Sequence, residues 1–197
     1  MSLLPSTDQI DAALRDLRYD RVWLESGVLS VDGLLRQHQD FLAGVERDVD
    51  HFHLHAFAAW SLMRVQLSDA EVDIAIRVAT SDAGLNSAAT LLKSLLNERL
   101  TDNQFERLLD AACGLGLGGR SAAYERFRRG WEQSRANEQF LRNGLASEVP
   151  AIHLFLARRC EFAWVLQELV IKGSGKEVRH TAKQRLRELE RRQADKT

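Results

Sequence analysis

Four short polar patterns, each followed by an apolar rhythm of three- and four-residue steps, predict where helices begin in this sequence. In a capping box, a Ser or Thr side chain and a Glu or Gln three residues later satisfy two backbone N–H groups at a helix start. The patterns occur at Ser6–Gln9, Ser68–Glu71, Thr101–Gln104 and Ser174–Glu177. The apolar spacing after each one is that of a helix face. With only 2 Pro and no useful strand-like alternation, the sequence predicts an all-α fold.

The longest apolar stretches predict the central helices. We expect long helices over about residues 45–66 and 147–172, because both stretches are apolar on more than one side. Another helix is predicted from about Arg120 to Arg142, after a glycine-rich connector at residues 114–119. The length suits one domain. Residues 1–197 are therefore predicted to form a single domain, which the connector can subdivide.

An internal period predicts stacked helical hairpins. Leu67-Ser68-Asp69 recurs 33 residues later as Leu100-Thr101-Asp102, and a two-helix unit of this size is typical of solenoid repeats. The segment Val178–Leu186, within residues 176–189, resembles the second helix of a HEAT repeat: Val-Arg is followed by Ala and Leu at the spacing of that family. The Asp usual before the Val is replaced by Glu177. The resemblance implies antiparallel hairpins that bind proteins or, in some members, nucleic acid; the alternative is an irregular helical bundle.

Cysteine usage and hydropathy indicate the compartment. Cys113 and Cys160 each lie in an apolar helical stretch without a partner at metal spacing, as expected of buried thiols in a reducing cytosol. No apolar run approaches the ~18 residues of a membrane helix, and the N-terminus lacks the features of a signal peptide. We therefore expect a cytoplasmic protein that makes no membrane contact. Its 22 Arg against 5 Lys, among 27 basic residues, indicate a GC-rich bacterial genome.

Charge is distributed unevenly along the chain. Residues 1–110 carry 10 basic and 18 acidic residues, a balance of −8, whereas residues 111–197 carry 17 and 10, a balance of +7. An anionic partner of the second half, attraction between the halves, and ordinary solvated faces all remain open explanations. Two basic stripes are predicted on helix faces, at Arg128, Arg135 and Arg142 and at Arg179, Lys183 and Arg187. They make nucleic-acid binding the alternative function, although ion pairs within each helix also explain them.

The densest group of potential metal ligands is His51, His53 and His55, together with Asp48 and Asp50. On a helix, His51 and His55 are one turn apart and could hold a divalent metal with a ligand from another helix. A metal-dependent enzyme is therefore a second alternative. The pair lacks the Glu of an H-E-x-x-H motif, and no metal site is predicted.

Two glycine-rich segments imitate phosphate-binding motifs. Gly114–Gly119 satisfies G-x-G-x-x-G, but a helix rather than a strand precedes it, so a helix–helix connector is predicted. Gly173–Lys176 fails the P-loop pattern, because Val170 and Glu177 stand where it needs Gly and Ser or Thr. No catalytic residue and no cofactor is predicted.

These observations favour a protein-interaction module over an enzyme. In the predicted 120–142 helix, Tyr124, Phe127 and Trp131 follow one another at three- and four-residue steps with arginines beside them. Aromatic side chains ringed by Arg are enriched at interface hot spots. The partner-binding residues predicted are Tyr124, Arg128, Trp131 and Arg135, and the partner is another protein. The alternative is that this face packs against the 147–172 segment.

Overall fold

A computed structural model describes residues 5–82, 87–96 and 99–194 of the chain, and all regular secondary structure in these ranges is α-helical. The all-α prediction is therefore confirmed. The chain divides into two compact units, unit 1 (Met1–Leu117) and unit 2 (Gly118–Thr197). Within the described ranges, no helix combines the length and the apolar character needed to cross a membrane.

The helices are connected by short segments in both units. Unit 1 contains, in its described residues, α1 (Thr7–Asp16), α2 (Val22–Glu25), α3 (Val31–Leu42), α4 (Val49–Leu62), α5 (Asp69–Ser81), α6 (Ala88–Leu95) and α7 (Asp102–Gly114). Unit 2 contains α8 (Gly119–Ser134), α9 (Glu138–Leu145), α10 (Pro150–Arg159), α11 (Ala163–Lys172) and α12 (Lys176–Ala194). The connector between α7 and α8 turns at Gly116, whose φ of +104° lies in the left-handed region that favours glycine.

Side-chain caps make two helices shorter than predicted. The 45–66 helix is α4 alone, because the Asp48 carboxylate accepts a hydrogen bond from the Asp50 N–H and begins the helix there. The prediction of one helix over residues 120–142 is wrong as well, because this segment forms two helices, α8 and α9. The Asn137 side chain accepts from the Phe140 N–H (3.0 Å) and begins α9. The predicted partner-binding residues therefore share α8 or its C-cap, whereas Arg142 lies on another helix.

The predicted 147–172 helix is also two helices, α10 and α11. The chain is extended at Cys160 (ψ 140°) and at Phe162 (ψ 117°), which are the C-cap of α10 and the N-cap of α11. Cys160 is fully buried at this break. Neither Pro nor Gly occurs at residues 160–162, so tertiary packing rather than local sequence ends the helix here.

Three of the four predicted capping boxes are confirmed, at Ser6, Ser68 and Thr101, each with both reciprocal hydrogen bonds. The fourth is wrong. A helix capped by Ser174 would begin at Gly175, but α12 begins one residue later, at Lys176. The Arg179 N–H donates to the Gly175 carbonyl (3.1 Å). The backbone N–H of Ser174 instead donates to Nδ1 of His153 (3.2 Å).

The two similar segments of unit 1 lie side by side. α7 packs against α5 and α6. Gln104 belongs to the capping box that starts at Thr101. It donates through Nε2 to the Leu67 carbonyl (3.1 Å) and to the Asp69 carboxylate (2.8 Å), which flank Ser68 of the equivalent box. The 33-residue offset therefore brings equivalent helix starts into contact, and Gln104 is itself buried.

The core of unit 2 is formed largely by α10, α11 and α12 with aromatic residues of α8. α12 packs against both α10 and α11. Val178 and Ala182, in the segment that resembles a HEAT helix, face this core and are buried. The ring of Phe127 stacks on that of Phe140 (centroids 4.6 Å apart). The absence of a Cβ at Gly144 makes room for the Phe127 ring.

Candidate functional site

One concave surface of unit 2 is a cavity of about 810 Å³, which we name the arginine groove. The C-terminal ends of α8 and α10, the break between α10 and α11, and α12 contribute its walls. The lining residues are Trp131, Glu132, Arg135, Ala136, Arg158, Arg159, Glu161, Phe162 and Arg185. Two helices end here, and the chain then leaves the helical path, which is why a concave surface remains.

Positive charge predominates in the arginine groove. Its four arginines and two glutamates give a formal balance of +2. Arg158 and Arg159 lie in the last turn of α10, where cations also stabilise the negative end of the helix dipole. Part of their role is therefore to stabilise the helix. Their exposed guanidinium groups remain available to solvent.

The ion pairs within the arginine groove are loose. A guanidinium nitrogen of Arg135 lies 3.8 Å from the Glu132 carboxylate, and one of Arg185 lies 3.9 Å from Glu161. These distances exceed hydrogen-bond length, and exposed pairs of this kind contribute little to stability. Arg159 forms no ion pair with any residue that the structure describes. The groove therefore has cationic donors that its own carboxylates do not fully satisfy.

Arg158 and Arg185 also form hydrogen bonds with glutamates outside the groove. Arg158 donates to Glu177 (3.1 Å), and Arg185 donates through a terminal nitrogen to Glu188 (3.0 Å). The Nε–H of Arg185 is buried and finds no acceptor in the described part of the chain. Buried donors are normally paired. Arg185 thus has one buried donor without an acceptor among the described residues.

Two aromatic side chains supply the apolar part of the arginine groove. Trp131 is only 5% exposed, and its ring meets that of Phe155 edge-on (centroids 5.3 Å apart). Phe162, by contrast, is 39% exposed. Trp131 therefore forms the floor, whereas Phe162 presents an accessible apolar surface beside the arginines.

The predicted partner-binding residues do not form one surface. Trp131 and Arg135 line the arginine groove, and Tyr124 and Arg128 do not. The Tyr124 ring packs against Phe155 of α10 (6.2 Å between centroids), and Arg128 is hydrogen-bonded to the buried Glu125 (2.9 Å). For these aromatics, packing on the 147–172 segment is the arrangement observed.

The predicted stripe of Arg128, Arg135 and Arg142 is wrong in its geometry, because the chain turns between α8 and α9. The Arg142 guanidinium instead lies over the Trp164 ring (5.1 Å to the centroid) and pairs with Glu138 (2.6 Å). On α12, Arg179 donates to the Gly173 carbonyl (2.9 Å). Both contacts use arginines of the predicted stripes in structural interactions.

The three histidines of unit 1 point in different directions. His51 and His55 are exposed, whereas His53 is fully buried. His51 is held by Glu46 (3.0 Å), and this hydrogen bond is the main cause that raises the pKa of His51. Backbone hydrogen bonds, the first from Asp48, lower the pKa of Glu46 to about 2. Among the described residues, no three His, Cys, Asp or Glu side chains lie where they could share a metal ion.

His53 belongs to a buried polar network that the sequence did not predict. Its Nε2 lies 2.9 Å from the Leu17 carbonyl, and its Nδ1 lies 2.5 Å from the Asp82 carboxylate. The Trp23 indole N–H donates to the other oxygen of Asp82 (3.1 Å). The Tyr19 ring stacks on His53 (3.9 Å), and burial raises the pKa of Tyr19 above its usual range. Because both imidazole nitrogens are engaged and inaccessible, this network stabilises unit 1 rather than performing acid–base chemistry.

Sequence reasoning missed Arg158, Arg159, Phe162 and Arg185, because it placed the first three on one continuous helix. Both predicted thiols are free; Cys160 is buried and Cys113 is half-buried.

Comparisons of this chain with protein-family models, with curated proteins and with solved structures gave no match.

Proposed function

We propose that this protein is an interaction module that docks an acidic segment of a partner protein in the arginine groove. The observation that carries the proposal is the excess of arginines over glutamates in a concave site with an accessible aromatic wall. Arg is the cation best suited to such a site, since its planar fork binds carboxylates in a bidentate manner. An acidic segment supplies the acceptors that the groove lacks.

The long ion pairs of the arginine groove favour an exchange in which ligand carboxylates replace the groove's own glutamates. Arg135 lies 3.8 Å from Glu132, and Arg185 lies 3.9 Å from Glu161. Replacing either glutamate by a ligand carboxylate therefore costs little free energy. Arg159 has no pair to break among the described residues. At these arginines binding therefore gains charge-assisted hydrogen bonds without first losing strong ones, and Arg158 donates to Glu177 through one terminal nitrogen only.

We further propose a helical-repeat architecture of the HEAT type for this module, working in the cytoplasm of a bacterium. The contact that Gln104 makes between two equivalent helix starts supports stacking of similar units. The buried face of Val178 and Ala182 agrees with the inward face of a repeat helix. The two free thiols agree with a reducing compartment.

Nucleic acid is the competing anionic partner, and the net charge of +7 over residues 111–197 favours it. Two observations favour a protein segment instead. The buried Trp131 cannot stack on a base. The Arg128–Arg142 stripe that would follow a backbone is interrupted.

Fluorescence anisotropy with labelled peptides tests the proposal on the full-length chain. One peptide has Glu and Asp around a central Leu, and its matched counterpart has Gln and Asn in their place. We expect the acidic peptide to bind more tightly and to lose affinity as salt rises. Arg159→Glu should weaken binding about tenfold or more, because it reverses a charge at the site. The control, Arg187→Glu, makes the same change on α12 outside the groove and should leave the affinity nearly unchanged.

Equal affinity for the acidic and amide peptides would refute the proposal. Equal weakening by the two charge reversals would also refute it, because attraction would then come from the overall charge of unit 2. A single-stranded oligonucleotide serves as the competing ligand. If it binds more tightly than the acidic peptide, with a steep salt dependence, the partner is a nucleic acid instead.

A further inference from the structure

Phe162 is unusual in both its position and its exposure. It is the only aromatic residue among the exposed large hydrophobic side chains of the described chain. It is also the N-cap of α11 and makes no side-chain capping hydrogen bond. Ser, Thr, Asp and Asn are preferred at this position because their side chains accept from the unpaired backbone N–H groups. Helix stability alone therefore does not explain a phenylalanine here.

The surroundings of Phe162 combine apolar surface with cations. Arg158, Arg159 and Arg185 line the same cavity, and Trp131 forms its floor. The volume of about 810 Å³ lies within the range of about 300–1,000 Å³ typical of ligand sites. The site is thus divided into a cationic part and an apolar part.

We infer that the acidic segment docked in the arginine groove carries one bulky apolar side chain among its carboxylates, and that this side chain packs on Phe162. The inference rests on the proposed function and specifies the class of ligand. Carboxylates on Arg158 and Arg159 supply the charge-assisted hydrogen bonds, and the apolar side chain covers the exposed face of Phe162. Anchors of this kind, fixed by a few polar contacts, dominate the energy of many interfaces.

The test adds a third peptide, in which Ser replaces the central Leu of the acidic peptide. Wild-type protein should bind the Leu peptide about tenfold more tightly than the Ser peptide, since burial of roughly 55 Å² of apolar surface suffices for that factor. In Phe162→Ala the two peptides should bind almost equally, whereas Phe162→Leu should retain most of the difference. The matched control is Ile171→Ala, which truncates an apolar residue of α11 that is 72% exposed and lies outside the groove. It should behave as wild type.

The outcomes separate the inference from the proposed function. If both acidic peptides bind equally well to wild-type protein and more tightly than the amide peptide, the apolar anchor is refuted and the proposed function stands. If the preference for Leu persists in Phe162→Ala, the anchor lies elsewhere and the inference is wrong. If no acidic peptide binds, both fail. Circular dichroism of the Phe162 variants establishes that each one is folded before its affinity is compared.

Discussion

Replacing Asp82 by alanine removes the acceptor that two buried groups share. The Trp23 indole N–H lies 3.1 Å from one carboxylate oxygen and His53 Nδ1 lies 2.5 Å from the other. Both partners are 0% exposed, so water cannot replace the lost contacts. An unsatisfied buried group costs about 1–3 kcal/mol. Asp82→Ala should therefore lower the free energy of unfolding of unit 1 by roughly 2–6 kcal/mol, a large part of the stability of an ordinary domain.

Asp82→Asn is the matched control, because the amide can keep both contacts. Its oxygen can accept from the Trp23 indole, and its NH₂ group can donate to Nδ1 of His53 when the single ring N–H lies on Nε2 and faces the Leu17 carbonyl. We expect Asp82→Asn to destabilise unit 1 less than Asp82→Ala, because it leaves no buried donor without an acceptor.

Equilibrium urea denaturation, followed by tryptophan fluorescence, measures the difference. The midpoint for Asp82→Ala should fall on the order of 1 M below that for Asp82→Asn, given typical urea dependence. Equal midpoints for the two variants would refute the reasoning, because they would show that the partners of Asp82 find other acceptors.

Three further predictions follow from packing and charge. Trp131→Ala should cost ~3–5 kcal/mol in urea denaturation, because the side chain is 5% exposed; an unchanged midpoint would contradict its burial. A Cβ at Gly144 would lie 2.7 Å from a phenylalanine ring, so Gly144→Ala should cost ~1–3 kcal/mol. Gly114→Ala, with nothing within 4 Å, should be neutral or stabilising. The NMR titration midpoint of His51 should lie above its usual range and fall in Glu46→Gln; the stability that His51 contributes is present at low pH and lost as pH rises through that raised pKa. An unmoved midpoint would refute the role of Glu46.

The helix starts could be predicted from the sequence because their causes are local. A capping box places donor and acceptor within four residues, and Ser6, Ser68 and Thr101 form the bonds that their spacing predicts. Ser174 has the same spacing, but its N–H is taken by His153 from another helix. A tertiary contact therefore shifted the start of α12, and no local pattern records such a contact.

The arginine groove could be predicted only in part. The pattern of arginines beside aromatic residues predicts Trp131 and Arg135 as partner-binding residues, and both line the groove. The apolar spacing continues without interruption from Ile152 to Val170, so it predicts one helix. The break at residues 160–162 lacks Pro and Gly, and it is this break that places Phe162 beside the arginines.

The arginine Nε–H signals in NMR spectra, recorded as the acidic peptide with the central Leu is added to the full-length chain, test the central claim most directly. These signals report the guanidinium groups one by one. Our account predicts that the largest changes occur at Arg135, Arg158, Arg159 and Arg185, which line the groove. Arg187 of α12 and the arginines of unit 1 should change little. Changes centred on Arg187 or on unit 1, or no change when the peptide is in large excess, would contradict it.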